Sequence, residues 1–153
     1  MQNLDKIDRT ILKLLQQDAK LNIKEIASHL NMTKTPVYER IRRLEKTGVI
    51  SKYVAVVDRK KVAPSVLVFL SGSLEVKKFE QIQEFYDAVE EIPEIMDCYL
   101  MGGENDFLLR VIVRDLDAYH AFYSQKISTL PHVGQVRSSF VLNEVKRSTV
   151  LPF

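Results

Sequence analysis

The sequence predicts an α+β chain in which three short helices precede a domain of four strands and two helices. Apolar residues recur at helical spacing through residues 4–46, and from residue 65 the pattern becomes strand, helix, strand, strand, helix, strand. A similar four-residue motif, with proline in second place, follows each of the two later helices, at residues 92–95 (IPEI) and 130–133 (LPHV). This half-repeat predicts a ferredoxin-like split βαβ arrangement, βαββαβ, for the second part of the chain.

The first two helices are predicted over residues 4–18 and from Asn22 onward. Glu25 lies three residues after Asn22, which is the spacing of a capping box. Both helices carry an apolar stripe at helical spacing, formed by Leu4, Ile7, Ile11 and Leu14 in the first and by Ile23, Ile26, Ala27 and Leu30 in the second.

The third helix is predicted to follow a tight turn at residues 31–33. Asn31 tolerates the left-handed backbone conformation that such a turn requires. Pro36 suits the first turn of a helix, and Gly48 suits the position just past its end. Three helices joined in this way predict a helix-turn-helix unit.

The rest of the chain supplies the predicted strands and two further helices. Residues 53–57 are predicted as a connecting strand and residues 58–64, which are basic and contain Pro64, as a hinge. The four strands of the second part are predicted at residues 65–74, 95–101, 107–113 and 136–142. Its helices are predicted over residues 78–91, burying Phe79, Ile82, Phe85, Tyr86 and Val89, and over residues 116–128, burying Leu116, Tyr119, Tyr123 and Ile127.

The strands of the second part are apolar on both faces. Val66, Val68 and Leu70 alternate with Leu67 and Phe69, and only Arg110 interrupts a similar pattern in residues 107–113. An antiparallel sheet with helices on one face can leave its other face polar, so a second apolar face needs its own cover. A second copy of the chain is the simplest cover, which predicts a homodimer.

Charge is divided unevenly along the 153 residues. Residues 1–61 carry a net charge of +7 and residues 62–153 a net charge of −5, within a total of +2. A basic segment beside an acidic remainder suggests two tasks, with a polyanion as the partner of the first.

The third helix carries the residues that would contact that polyanion. Val37, Ile41 and Leu44 form its apolar face, and a helix of this size fits the major groove of B-DNA. The candidate DNA-binding residues on and beside the opposite face are Lys34, Thr35, Tyr38, Glu39, Arg42, Arg43 and Lys46. Arginine can read guanine, lysine holds phosphates and Glu39 can accept from cytosine. Arg40 lies nearer the apolar edge, so we expect it to pair with an acidic group of its own domain.

Four motifs resemble the Lrp/AsnC (leucine-responsive, feast/famine) family of regulators. They are residues 4–12 (LDKIDRTIL), 33–50 (TKTPVYERIRRLEKTGVI), 102–111 (GGENDFLLRV) and 143–146 (NEVK). The resemblance covers nearly the whole chain. It implies a winged helix-turn-helix, an ACT-like βαββαβ domain, dimers that assemble into octamers, and an amino-acid effector at subunit interfaces.

The resemblance places the effector beside the loop between the second and third strands. Gly103, Glu104, Asn105 and Asp106 match that loop, and Leu130 and Phe140 are weaker candidates for an apolar wall. The glycines allow a tight turn whose N–H groups can receive a carboxylate, while Asp106 or Glu104 can receive an α-ammonium. The alternative is an ordinary hairpin turn in which Asp106 caps its own backbone. The chain departs from the family where Asn31 replaces a usual glycine and Asn105 a frequent aromatic residue.

These observations predict three regions. Residues 1–50 form a helix-turn-helix DNA-binding domain, residues 51–64 a connecting strand and hinge, and residues 65–153 a domain for effector binding and oligomerisation. The predicted function is a sequence-specific transcriptional regulator modulated by a small metabolite, most simply an amino acid. The alternatives are an architectural protein that wraps DNA with little ligand control, and a metabolite-binding protein whose helix-turn-helix contacts other proteins.

Other classes of protein have weaker support in the sequence. Cys98 is the only cysteine, so no intrachain disulfide forms, which fits a reducing compartment. The first eight residues are polar, unlike a signal peptide, and no apolar run approaches the roughly 20 residues of a membrane span. The three histidines lack metal-ligand spacing. We therefore predict a cytoplasmic protein that is not an enzyme and has no cofactor or metal site.

Overall fold

The computed structural model describes residues 3–76 and 78–153, so Met1, Gln2 and Lys77 of the predicted regions lie outside the described residues. The chain divides into two compact units. The helical unit contains the residues up to Val56 together with Val145–Phe153, and the sheet unit is Val57–Glu144. Within the described residues, no helix combines the length and the apolar character needed to cross a membrane.

The helical unit contains three helices, α1 (Lys6–Gln17), α2 (Ile23–His29) and α3 (Lys34–Lys46). Asn22 caps α2 with the predicted capping box, in which its side chain accepts from the Glu25 N–H and Glu25 accepts from the Asn22 N–H. Without these hydrogen bonds, the backbone N–H groups of Asn22 and Glu25 would be unsatisfied donors at the start of the helix. The sequence signal for the start of α2 is therefore confirmed.

The turn and the end of α3 also follow the prediction. Asn31 has a φ of 53° and Gly48 a φ of 73°, so both occupy the left-handed region. The side chains that α3 buries are those of its predicted apolar face, and they join α1 and α2 in one core formed by Ile11, Leu12, Ile26, Ala27, Val37, Ile41 and Leu44. The apolar spacing along each helix thus places the polar face of α3 away from this core.

The sheet unit has the predicted βαββαβ order, with a short helix before it. Its elements are α4 (Arg59–Val62), β1 (Val66–Leu74), α5 (Phe79–Glu90), β2 (Ile95–Leu100), β3 (Phe107–Val113), α6 (Leu116–Phe122), a π-helical turn (Tyr123–Ile127) that continues α6, and β4 (Val133–Phe140). The strands form one antiparallel sheet in the order β2-β3-β1-β4. β4 begins earlier than predicted because Val133 pairs with Leu74.

The core of the sheet unit lies on one face of the sheet. Along β3 the residues Phe107, Leu109, Val111 and Val113 are buried, and the residues between them are half-buried. The buried set packs with side chains of β1, α5 and α6, among them Val68, Leu70, Phe85, Val89 and Phe122. The other face of β3 carries Leu108, Arg110 and Ile112, as the alternation predicts.

The connecting strand predicted at residues 53–57 is wrong for the single chain. These residues are not paired with any strand of the described chain, and Val54, Val56 and Val57 are all more than half exposed. Their β-branched side chains favour an extended backbone, but a strand also needs a partner for its N–H and C=O groups.

Two apolar residues predicted to be buried are exposed. Phe79 is 72% exposed and Leu116 is 62% exposed. Each is the first residue of its helix, before the turns that cover the sheet. Helical spacing alone does not show where along a helix the covered part begins, which explains both errors.

Candidate nucleic-acid interface and candidate effector loop

The polar face of α3 lies open to solvent. All seven residues predicted to contact DNA are exposed, namely Lys34, Thr35, Tyr38, Glu39, Arg42, Arg43 and Lys46. Since Val37, Ile41 and Leu44 are held in the core of the helical unit, this face is fixed in orientation. It presents four cations and one carboxylate on a single rigid element, which suits a polyanionic groove.

Tyr38 holds the side chain of Arg42 on this face. The Arg42 guanidinium donates to the Tyr38 hydroxyl at 3.2 Å and lies 5.8 Å from the centre of the tyrosine ring. The hydrogen bond that the guanidinium donates to the Tyr38 hydroxyl raises the pKa of Arg42 above its usual value. Contact with the ring restricts the arginine, so less side-chain entropy is lost when it binds a base or a phosphate.

Asp8 connects α1 to α3. Its carboxylate accepts from Arg40 Nη1 at 2.8 Å and from Arg43 Nη2 at 2.6 Å, and its side chain is 1% exposed. Arg40 also donates to Asp5 at 2.6 Å. The expectation that Arg40 pairs within its own domain is therefore confirmed.

The same network includes Arg43, which the sequence analysis assigned to DNA. Its guanidinium is half exposed while one nitrogen is bound by Asp8. This contact could not be predicted from residue spacing, because Asp8 and Arg43 are 35 residues apart. The Asp8 carboxylate also completes the capping box of α1 with Asp5. The three-residue spacing of Asp5 and Asp8 is typical of a capping box and is the one local signal for the structural role of Asp8.

The loop between β2 and β3 is a closed hairpin whose tip is exposed. The Met101 N–H donates to the Asp106 carbonyl at 2.9 Å, which closes the loop. Gly102, Gly103 and Glu104 are exposed, and Gly103 has a φ of 148°. The predicted effector residues Gly103 and Glu104 therefore lie at the exposed tip, and Asn105 and Asp106 lie half-buried behind it.

Asp106 makes hydrogen bonds outside its own loop. Its Oδ2 accepts from the Leu74 N–H at 2.8 Å, and its own N–H donates to the Gly72 carbonyl at 2.8 Å. The residue therefore joins the loop to β1 at the point where the pairing of β1 with β4 shifts register. It does not cap its own turn, and one carboxylate oxygen is already used.

The structure does not bring Leu130 or Phe140 to the loop. Leu130 is buried in the core of the sheet unit. Phe140 pairs with Val68, four residues along β4 from Val136, which pairs with Gly72. Four residues of strand span roughly 13 Å. In the single chain these two residues thus form no wall beside the loop, and their assignment to an effector site between subunits stays a prediction.

An exposed ion pair joins the loop to β4. Arg137 donates to Glu104 Oε1 at 3.1 Å, and both side chains are more than 60% exposed. The loop thus offers one anionic and one cationic side chain side by side. Among residues 3–76 and 78–153, no three or more His, Cys, Asp and Glu side chains are grouped so that they could hold a metal ion.

Two family descriptions match the chain. Residues 4–51 match the winged helix-turn-helix DNA-binding family, and residues 67–151 match the Lrp/AsnC ligand binding domain. Both agree with the fold described above. The predicted fold class, a winged helix-turn-helix followed by a βαββαβ domain, is therefore confirmed.

Similar proteins have the same regulatory character. The chain is 37% identical to the DNA-binding transcriptional activator DecR of Escherichia coli (strain K12), over 97% of this chain and 98% of that protein. A solved AsnC family transcriptional regulator from Agrobacterium tumefaciens is 38% identical, with a TM-score of 0.91 and coverage of 97% and 96%. A transcriptional regulator from Neisseria meningitidis, solved as its L-Met complex, is 30% identical, with a TM-score of 0.91 and coverage of 98% and 97%.

These relatives are regulators of transcription rather than enzymes, in agreement with the predicted non-enzymatic function. The likeness extends over both units and includes the helix that presents the cationic face. The chain therefore belongs to the Lrp/AsnC family of DNA-binding transcriptional regulators.

Proposed function

We propose that this regulator responds to a free amino acid, which alters its assembly or its affinity for DNA. The Neisseria meningitidis regulator, which covers almost the whole chain at a TM-score of 0.91, was solved with L-Met bound. In this chain, the observation that supports the proposal is the exposed tip of the hairpin loop, where Glu104 and Arg137 lie side by side. A free amino acid carries the two charges that complement this pair.

On the DNA side, we propose that Arg42 reads a base edge and that Lys34 and Lys46 contact phosphates. Arg42 lies near the middle of the exposed face of α3 and is steadied by Tyr38. Lysines act as point charges that suit phosphate oxygens. Thr35 and Glu39 complete the groove-facing set, and Arg43 supports it from the Asp8 network.

On the effector side, Glu104 receives the α-ammonium and Arg137 the α-carboxylate. An exposed pair of this kind contributes little to stability, so a ligand can displace it at small cost. The Gly103 backbone allows a close approach of the ligand to the loop. Asp106 holds the loop in place through its hydrogen bond with β1, and Asn105 lies between it and Glu104 as a further candidate for ligand contact.

Calorimetry tests this assignment after a thermal-shift screen of the twenty amino acids. A ligand that binds only the folded chain raises its apparent stability. We expect Glu104→Ala to weaken binding of the amino acid that the screen selects, since the α-ammonium loses its acceptor. Glu91→Ala, which removes another exposed glutamate of the sheet unit, should bind like the wild type. Equal binding by both variants would contradict the site, and no binding of any amino acid at millimolar concentration would contradict the effector.

We also propose that the chain acts in the cytoplasm as a homodimer that assembles into octamers. The support for self-association is the apolar character of the helix-free face, where Phe69, Leu108 and Ile112 remain half-buried. Covering them with a second copy removes apolar surface from water. Light scattering at micromolar concentration should give at least twice the mass of 17.7 kDa, and a folded monomer would contradict the proposal.

A further inference from the structure

The helical unit has an apolar cleft beside the face of α3 that carries Arg42. It is bordered by the end of α1, the start of α2 and α3, and its volume is about 250 Å³. Two of its residues, Ile26 and Ile41, are buried in the core of the unit, and Leu15, Leu21 and Ile23 are half-buried beside them. The cleft therefore offers an apolar interior that is formed within the helical unit alone.

Tyrosines and charged side chains border the same cleft in two hydrogen-bonded pairs. The Arg42 guanidinium donates to the Tyr38 hydroxyl at 3.2 Å, and the Tyr53 hydroxyl donates to Glu45 Oε1 at 2.9 Å. Burial and the hydrogen bond with Glu45 raise the pKa of Tyr53 to about 12. The phenol of Tyr53 is therefore protonated at neutral pH and keeps its donor on Glu45.

The two charges of the rim differ in what they offer to a ligand. One oxygen of Glu45 is already satisfied by Tyr53. Arg42 is exposed, and the N–H groups that do not face Tyr38 can pair with a carboxylate. An apolar interior with a few convergent polar groups is the usual form of a small-molecule site. The volume lies below the roughly 300–1,000 Å³ of sites for drug-sized ligands, so the cleft suits a compact molecule.

We propose that this cleft binds a small aromatic monocarboxylate, with its ring against Ile26 and Ile41 and its carboxylate on Arg42. Removal of the ring from water favours binding, and the charge-assisted hydrogen bonds to the guanidinium orient the ligand. The site differs in position and in ligand from the loop that carries Glu104, since it lies in the helical unit and needs no α-ammonium group.

A ligand in this cleft competes with DNA for Arg42. The same guanidinium that receives the carboxylate is the one proposed above to read a base edge, so the two cannot hold it at once. The binding of the acid stands on the cleft and its charges, whereas the competition rests on the proposed role of Arg42.

Calorimetry on the full chain with three probes tests the chemistry of the site. Phenylacetate, phenylacetamide and phenethylamine share one ring and carry a negative charge, no charge and a positive charge. We expect phenylacetate to bind at millimolar concentration, the amide several-fold more weakly and the amine most weakly. Tightest binding of the amine would assign selection to Glu45 instead of Arg42 and overturn the proposal, as would equal binding of all three probes or no binding of phenylacetate.

Two leucine variants test the position of the site. Ala19 lines the cleft, so we expect Ala19→Leu to fill it and to lose phenylacetate. Gln17→Leu adds an apolar side chain at an exposed position outside the cleft and should bind phenylacetate like the wild type. Thermal unfolding close to that of the wild type shows that both variants fold. Equal binding of phenylacetate by both variants would place the acid elsewhere and overturn the proposal.

Fluorescence anisotropy with duplex DNA tests the competition. Phenylacetate should weaken DNA binding by the wild type and by Gln17→Leu but not by Ala19→Leu, with acetate at the same concentration as the control for ionic strength. Equal weakening in all three proteins, or by acetate, would overturn the competition. If the chain binds no DNA, the proposed function fails, and the calorimetry still decides whether the cleft binds the acid.

Discussion

At the scale of single residues, the organising group of the helical unit is the Asp8 carboxylate. It is almost fully buried and accepts from two arginines of α3 and from the Asp5 N–H. A buried charge is tolerated only when it is paired and hydrogen-bonded. One buried side chain therefore links the N-terminal end of α1 to α3, in addition to the apolar core that the two helices share.

Replacing this residue should destabilise the helical unit strongly. In Asp8→Ala, Arg43 loses its acceptor and Arg40 keeps only Asp5. Because both guanidinium groups are partly exposed, we expect a loss of about 1–3 kcal/mol in the free energy of unfolding. Urea denaturation measures it. Asp117→Ala removes an exposed aspartate from the first turn of α6 and should change stability by less than about 0.5 kcal/mol. A similar small change in both variants would contradict the role of Asp8.

At the scale of elements, the join between β1, β3 and β4 positions the candidate effector loop. Gly72 pairs with Phe107 on one side and Val136 on the other, and its carbonyl accepts from Asp106. A Cβ at Gly72 would lie 2.3 Å from the Gln135 carbonyl oxygen and 2.7 Å from the Phe107 ring. This crowding leaves room only for glycine.

Gly72→Ala should therefore destabilise the sheet unit, because backbone and a buried ring must move. Overpacking of this kind typically costs about 1–3 kcal/mol. Gly102→Ala in the exposed loop is the matched control, since an added Cβ there has no neighbour within 4 Å. Chemical denaturation followed by far-UV circular dichroism compares the two. Equal stability of both variants would show that β1 and β4 are not joined in this way.

The parts of the fold that could be predicted from the sequence are those that depend on patterns among neighbouring residues. The capping box at Asn22, the turn at Asn31 and the alternation along β3 are properties of neighbouring residues, and each is confirmed. The contacts of Asp8 with α3 and of Asp106 with β1 join residues more than 30 positions apart. Residue spacing does not encode such pairings, so the role of Asp106 and the burial of Leu130 were not predicted.

At the scale of the whole molecule, the uneven charge follows from the two units. The basic residues 1–61 include α3 with its exposed cations, and the acidic remainder includes the ligand-binding domain. Positive charge concentrated on α3 strengthens the attraction of the helical unit for DNA phosphates. We propose that the exposed face of α3 is the surface that reads DNA.

The most direct test is a fluorescence anisotropy titration of the full chain with duplex DNA selected from a randomised pool. We expect Arg42→Ala to weaken binding by about 1–3 kcal/mol, or roughly 5- to 150-fold, because a base contact is lost. Arg114→Ala removes an exposed arginine of the sheet unit and should bind like the wild type. Unchanged affinity of Arg42→Ala, or equal weakening by both variants, would contradict the assignment of DNA recognition to α3.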